Sequence, residues 1–194
     1  MYLDSPIYKG YLETHKETKQ LLLPRLLDNL KKSDPSLNDE EWACDSFQTF
    51  LYGNGQEDLA NQIEPHINNY LGNLGYPNGL SYDTNSWFNM YGANQYQEEH
   101  SHIPMFFSGV YVLNFDPAMH TGLTFISRSP AIFALHRCKD VYPTGFPEAT
   151  DNIELKLKEG DIYIWPADRR HRVAPQPKNL KNNYRVTYTF NVIM

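Results

Sequence analysis

Several absences bound what this chain can be. It has two cysteines, Cys44 and Cys138, in no CxxC or zinc-ligand spacing. Two free thiols in a reducing compartment are therefore expected rather than a disulfide framework. No apolar run reaches the ~20 residues of a membrane-spanning helix, and no N-x-S/T acceptor occurs. The opening MYLDSPIYKGYLETHKE has no basic segment followed by an apolar stretch, so a soluble, cytoplasmic protein without a membrane partner is expected. Basic residues are few, 17 against 23 acidic, for a net charge of −6. That weighs against a nucleic-acid partner, because neutralising phosphates takes a basic face.

What is present is aromatic and ordinary in hydrophobicity. Aromatic residues make up 14% of 194, led by 14 tyrosines, a bias toward β-structure and aromatic-lined pockets. One domain of 1–194 is expected, with a helical part over 1–75 and a β-rich part over 80–194. KQLLLPRLLDNLKK has helical spacing, with Pro24 starting or bending the helix. Asn38 and Glu41 form a capping-box pattern. Leu59, Ile63, Ile67 and Leu71 recur at steps of four, with Gly72 or Gly75 to end that helix. His66 lies off the stripe and is read as solvated.

Eight strands are expected, over 82–91, 95–102, 105–115, 122–127, 153–158, 161–166, 170–174 and 184–192. That is the count of a jelly roll. The fold class is mainly β (α+β), a jelly roll with N-terminal helices packed on it. Residues 127–152, with three prolines and no period, read as a lid carrying His136 and Arg137. WACDSFQTF is a second candidate wall.

Three places carry chemistry. YQEEHSHIPMFF sets His100 and His102 one residue apart before an apolar run. In a strand, i and i+2 share a face, so both would aim at one spot. The last strand, YRVTYTFNV, divides into apolar Tyr184, Val186, Tyr188, Phe190 and Val192 and polar Arg185, Thr187, Thr189 and Asn191. If the apolar face packs under the helices, Arg185 is held inside a pocket. A buried guanidinium needs an anion, and with the Thr187 hydroxyl beside it forms a carboxylate receptor. GDIYIWPADRRHRVAP supplies His171, near the start of a late strand that can face an early one.

Three imidazoles suit iron(II), zinc or copper about equally as donors. The receptor picks among them: 2-oxoglutarate chelates iron through its keto-acid end and needs an arginine for its far carboxylate. Arg169, Arg170 and Arg172 flank His171. Surface ion pairing and steering of an anionic substrate are both open readings of that cluster.

WFNMYGANQYQEEHSHIPMFFSGVYVLNF, GDIYIWPADRRHRVAP and YRVTYTFN, in that order, resemble the iron(II)/2-oxoglutarate-dependent oxygenases, and within them a bacterial and phage branch with an H-x-H motif. The resemblance covers about residues 85–192. It implies a double-stranded β-helix with iron at its mouth, His100 and His171 as ligands, Arg185 as the 2-oxoglutarate anchor and Thr187 as its neighbour. Asn89, Tyr91 or Tyr96 would add hydrogen bonds to the co-substrate. It also implies hydroxylation of a peptidyl residue or small molecule by O2, with release of succinate and CO2.

Most of that superfamily carries Asp or Glu where His102 stands. Three options follow: His102 ligates, Glu98 or Glu99 does, or water takes the place. Strand geometry favours His102. Two rivals remain: a cupin-type metalloenzyme and a non-catalytic jelly-roll binding module. The cupin pattern wants a glutamate four or five residues after the second histidine, where this chain has IPMFF.

Overall fold

The computed structural model describes residues 7–32, 44–51, 55–126, 152–180 and 182–194. The capping-box pair, Cys138, His136 and Arg137 lie outside the described residues, as does nearly all of the expected lid.

Two helices form where leucine and isoleucine recur on one face. Helix α1 (His15–Lys32) buries Leu22 and Leu26 and contains Pro24 in its interior rather than starting there. Helix α2 (Gln56–Asn73) buries Leu59, Ile63, Ile67 and Leu71, the whole predicted stripe. It stops in a Schellman arrangement: Gly75 takes φ +86°, its N–H donates to Gly72, and the N–H of Tyr76 donates to Leu71, each at 3.0 Å. Of the two glycines proposed to end α2, Gly75 does so.

All eight expected strands are present. They are β4 (Asp83–Tyr91), β5 (Tyr96–His100), β6 (Phe107–Asn114), β7 (Leu123–Phe125), β8 (Ile153–Glu154), β9 (Asp161–Pro166), β10 (His171–Val173) and β11 (Arg185–Ile193). Three short strands join them: β1 (Tyr8–Tyr11), β2 (Cys44–Asp45) and β3 (Phe47–Thr49). The strands make two antiparallel sheets, β1-β9-β6-β11-β4-β3 and β2-β5-β10-β7-β8. β1 has no long apolar pattern to betray it. It holds the edge of β9 through backbone pairing and a 2.9 Å Lys9–Asp161 ion pair.

The alternation along β11 divides the molecule. Val186, Tyr188, Phe190 and Val192 pack with Leu22, Leu26, Leu59 and Ile63 in the core beneath the helices. On β9, Ile162 and Ile164 join that core, while Tyr163 and Trp165 turn into a second core between the sheets with Val110, Val112, Leu123 and Phe125. Arg185, Thr187, Thr189 and Asn191 are buried on the inter-sheet side. The second core fills part of the roll and leaves a cavity of about 410 Å³ in the rest.

His66 departs from expectation. Its Nδ1 lies 3.0 Å from the Tyr8 hydroxyl, and burial lowers its pKa. The solvated reading fails because β1, unseen in the sequence pattern, covers that face of α2.

Candidate active site

His100, His102 and His171 converge in the cavity. One ring nitrogen from each lies within 4.8 Å of the others, and the ring centroids are 4.3–5.2 Å apart. Position follows from pairing: His100 ends β5, His171 starts β10, and the two are direct cross-strand partners. Their Nδ1 atoms face backbone carbonyls, His100 that of Glu98 at 2.7 Å and His171 that of Arg169 at 2.9 Å. A carbonyl only accepts, so Nδ1 carries the proton and Nε2 keeps its lone pair for a metal. Burial lowers all three pKa values, that of His102 to about 4 with His100 adding to the effect. Neutral nitrogens at one point are a donor set that fits iron(II).

His102 reaches this point by a route different from simple alternation. β5 stops at His100, and His102 lies beyond it, its N–H donating to the Ala167 carbonyl at 2.8 Å. No carboxylate joins the cluster among the described residues. Glu99 is exposed and its carboxylate lies 2.6 Å from Arg170 Nε, and Glu98 is exposed.

Opposite the histidines, β11 and β4 supply the cavity's polar wall. Arg185 is 1% exposed, with its guanidinium 4.9 Å from the Tyr91 ring centroid and hydrogen-bonded to the Tyr91 hydroxyl. No carboxylate among the described residues lies within ion-pair distance of it, and its Nε finds no hydrogen-bond partner. Burial pushes its pKa down, as expected of a cation without its anion. Thr187 lies beside it on the same face. Asn89, paired with Thr187 across the strands, accepts from the Trp87 indole N–H at 3.1 Å and donates to Thr189 Oγ1 at 2.8 Å.

Comparison with known proteins decides between the rival readings. The model of a 2OG-Fe(II) oxygenase family matches residues 85–191. The chain belongs to that family. Its members use Fe(II), 2-oxoglutarate and O2, so the cupin reading is set aside. No protein of curated function matches in sequence. Solved structures with the same fold include a Pseudomonas putida prolyl-4-hydroxylase, 13% identical, covering 98% of this chain and 93% of that one with a TM-score of 0.63. A Trichoplax adhaerens prolyl hydroxylase, in complex with a hypoxia inducible factor peptide, is 9% identical over 98% and 84% of the chains, TM-score 0.66. The α-ketoglutarate-dependent epimerase SnoN from nogalamycin biosynthesis is 13% identical over 97% and 78%, TM-score 0.63. The fold is thus the double-stranded β-helix.

Against this frame the other anticipated residues of the oxygenase fall into two groups. Asn89, Tyr91, Arg185 and Thr187 line the cavity; Tyr96 does not, and Gln97 takes its place. The reason is a bulge: from His171 to Val173 is two residues on β10, but from His100 to Gln97 is three on β5. The extra residue reverses the parity, so Gln97 and not Tyr96 faces inward with His100.

The arginine cluster does not line the cavity. Arg170 is paired with Glu99, Arg172 is exposed, and Arg169 lies over Phe125 at 4.9 Å. WACDSFQTF does contribute a wall, through Gln48 on β3. Trp165 was missed: its ring meets His171 edge-on at 5.1 Å, and its buried indole N–H has no hydrogen-bond partner. Only its inward parity on β9 hinted at this.

No helix among the described residues is long and apolar enough to cross a membrane.

Proposed function

We propose that this oxygenase is a hydroxylase. His100, His102 and His171 hold Fe(II), and Arg185 with Thr187 holds the far carboxylate of 2-oxoglutarate. The observation that carries the proposal is Arg185: a fully buried guanidinium, in one cavity with three neutral imidazoles, whose Nε still seeks an acceptor. A planar cation in that setting suits a carboxylate better than any neutral ligand.

Fe(II), when bound, couples oxidative decarboxylation of 2-oxoglutarate to oxidation of the substrate, giving succinate, CO2 and a hydroxyl group. The chain's own residues orient and exclude. Nδ1 bonds from His100 and His171 fix their rings. Tyr91 packs on Arg185 and holds it pointing inward, and Leu123, Val110 and Trp165 keep water from that side. Asn89, held by Trp87 and Thr189, sets that wall and keeps a second N–H for the cavity it lines.

The substrate is a peptide residue or a small molecule. Ile103, 69% exposed, and Met105 form an apolar lip on the cavity, which supports an uncharged reacting group. With Fe(II), 2-oxoglutarate and O2 the protein is expected to release succinate slowly without substrate, and His171→Ala to abolish it. Equal rates in the two proteins would refute the proposal.

A further inference from the structure

The three imidazoles are not held alike. His100 and His171 are each locked from behind by a carbonyl two residues back in the chain. They are also locked to each other by direct pairing of β5 with β10. His102 has neither support. It sits past the end of its strand, and among the described residues no hydrogen bond reaches its ring. What it has is ring faces. The indole of Trp87 lies against it with centroids 6.1 Å apart and planes 28° apart, and His171 lies parallel to it at 5.2 Å and 1°.

Trp87 is itself anchored. Its N–H is bonded to Asn89, which is bonded to Thr189. A line of side chains therefore runs from β11 through β4 to the back of the third imidazole. Aromatic faces resist tilting but allow sliding and rotation, whereas an Nδ1–H bond to a carbonyl fixes both tautomer and orientation.

We propose that His102 is an exchangeable ligand, positioned by the face of Trp87, and that His100 and His171 are the permanent ones. This rests on the metal-centre reading above. With a metal bound, His102 would leave and return by motion of one side chain, while His100 and His171 kept their hold and neither sheet was disturbed. Trp87 is a positioning residue: it acts on the metal through His102.

Co(II) titration of the metal-free protein, followed by visible absorption and by competition with a chelating dye, tests this without turnover. His100→Ala or His171→Ala should lower Co(II) affinity more than about 100-fold, beyond the ~10–100-fold range for losing only a partner behind a ligand. His102→Ala should cost about 10-fold. Trp87→Leu should cost about 2- to 10-fold, the worth of one aromatic pair, and nothing further in a His102→Ala background. Trp87→Phe, which keeps a ring face, should bind as the unmodified protein does.

Two results would overturn the inference alone: a His102→Ala loss equal to that of His100→Ala, or a Trp87→Leu loss that persists in the His102→Ala background. Absence of Co(II) binding by the unmodified protein would overturn the metal reading, and this inference with it.

Discussion

At Arg185 the chain keeps a cation out of water beside Tyr91, with no anion among the described residues to meet it. Such a residue costs the ligand-free protein stability, because desolvating a guanidinium is not offset until the carboxylate arrives. Arg185→Met should therefore leave the ligand-free protein as stable as before, or more so by about 1–4 kcal/mol, while abolishing co-substrate binding. A loss of several kcal/mol in urea unfolding would instead mark Arg185 as a structural residue. That Arg185 shares a face with Thr187 was legible in sequence, because a nine-residue strand alternates its faces; that this face turns inward and not to solvent depended on where the helices pack. Gln97 and Tyr96 were not legible, because a bulge shifts parity without leaving a mark in composition. Trp165 was hidden for another reason: an unpartnered N–H is a property of the assembled cavity, and an aromatic residue in a strand usually means packing.

Elements read well where their own period was strong. The stripe of α2 was readable because it has a single buried side, and the two faces of β11 because apolar and polar residues alternate along it, although both faces are buried. β1, β2 and β3 were not: they are two to four residues long, lie in the part of the chain where helical spacing dominates, and are fixed by the edges they pair with. Gly109 shows what the packing of β6 on β11 requires. It faces Phe190 across β6 and β11, and a Cβ there would run into the Phe190 ring and lie 2.8 Å from the Tyr163 carbonyl. The glycine of SGVY is thus a seat for an aromatic ring. Gly109→Ala should destabilise by about 1–3 kcal/mol, the usual cost of overpacking, and an unchanged denaturation midpoint would refute that account. Leu26→Ala, emptying a fully buried site under the sheet, should cost about 2–5 kcal/mol, read from the same midpoint.

Across the whole molecule, one sheet carries helices on one side and the cavity on the other, so the polar face of β11 becomes a binding wall. The helix-side core and the histidine pair were legible; the fate of the arginine cluster was not, since only the folded surface reveals that Arg170 meets Glu99.

Two histidines outside the site, half-buried His66 and buried His120, add a pH dependence. Burial lowers the pKa of His66 and of His120 below the ordinary 6.5. In the window between the lowered values and 6.5 the unfolded chain holds more protons than the folded one. Their contribution to stability is full above 6.5 and lost as pH falls through the lowered values. Urea midpoints should fall from pH 7 to pH 5, with a smaller drop in His66→Gln; an equal drop in that variant would exclude His66 as a contributor.

The central claim is that one cavity joins a three-histidine iron centre to a carboxylate receptor at Arg185. Anaerobic absorption spectroscopy tests it most directly. Fe(II) and 2-oxoglutarate together should raise a weak visible metal-to-ligand charge-transfer band, and Arg185→Ala should need far more 2-oxoglutarate to develop it. A protein that binds both without the band, or an Arg185→Ala variant with unchanged co-substrate affinity, would contradict the account.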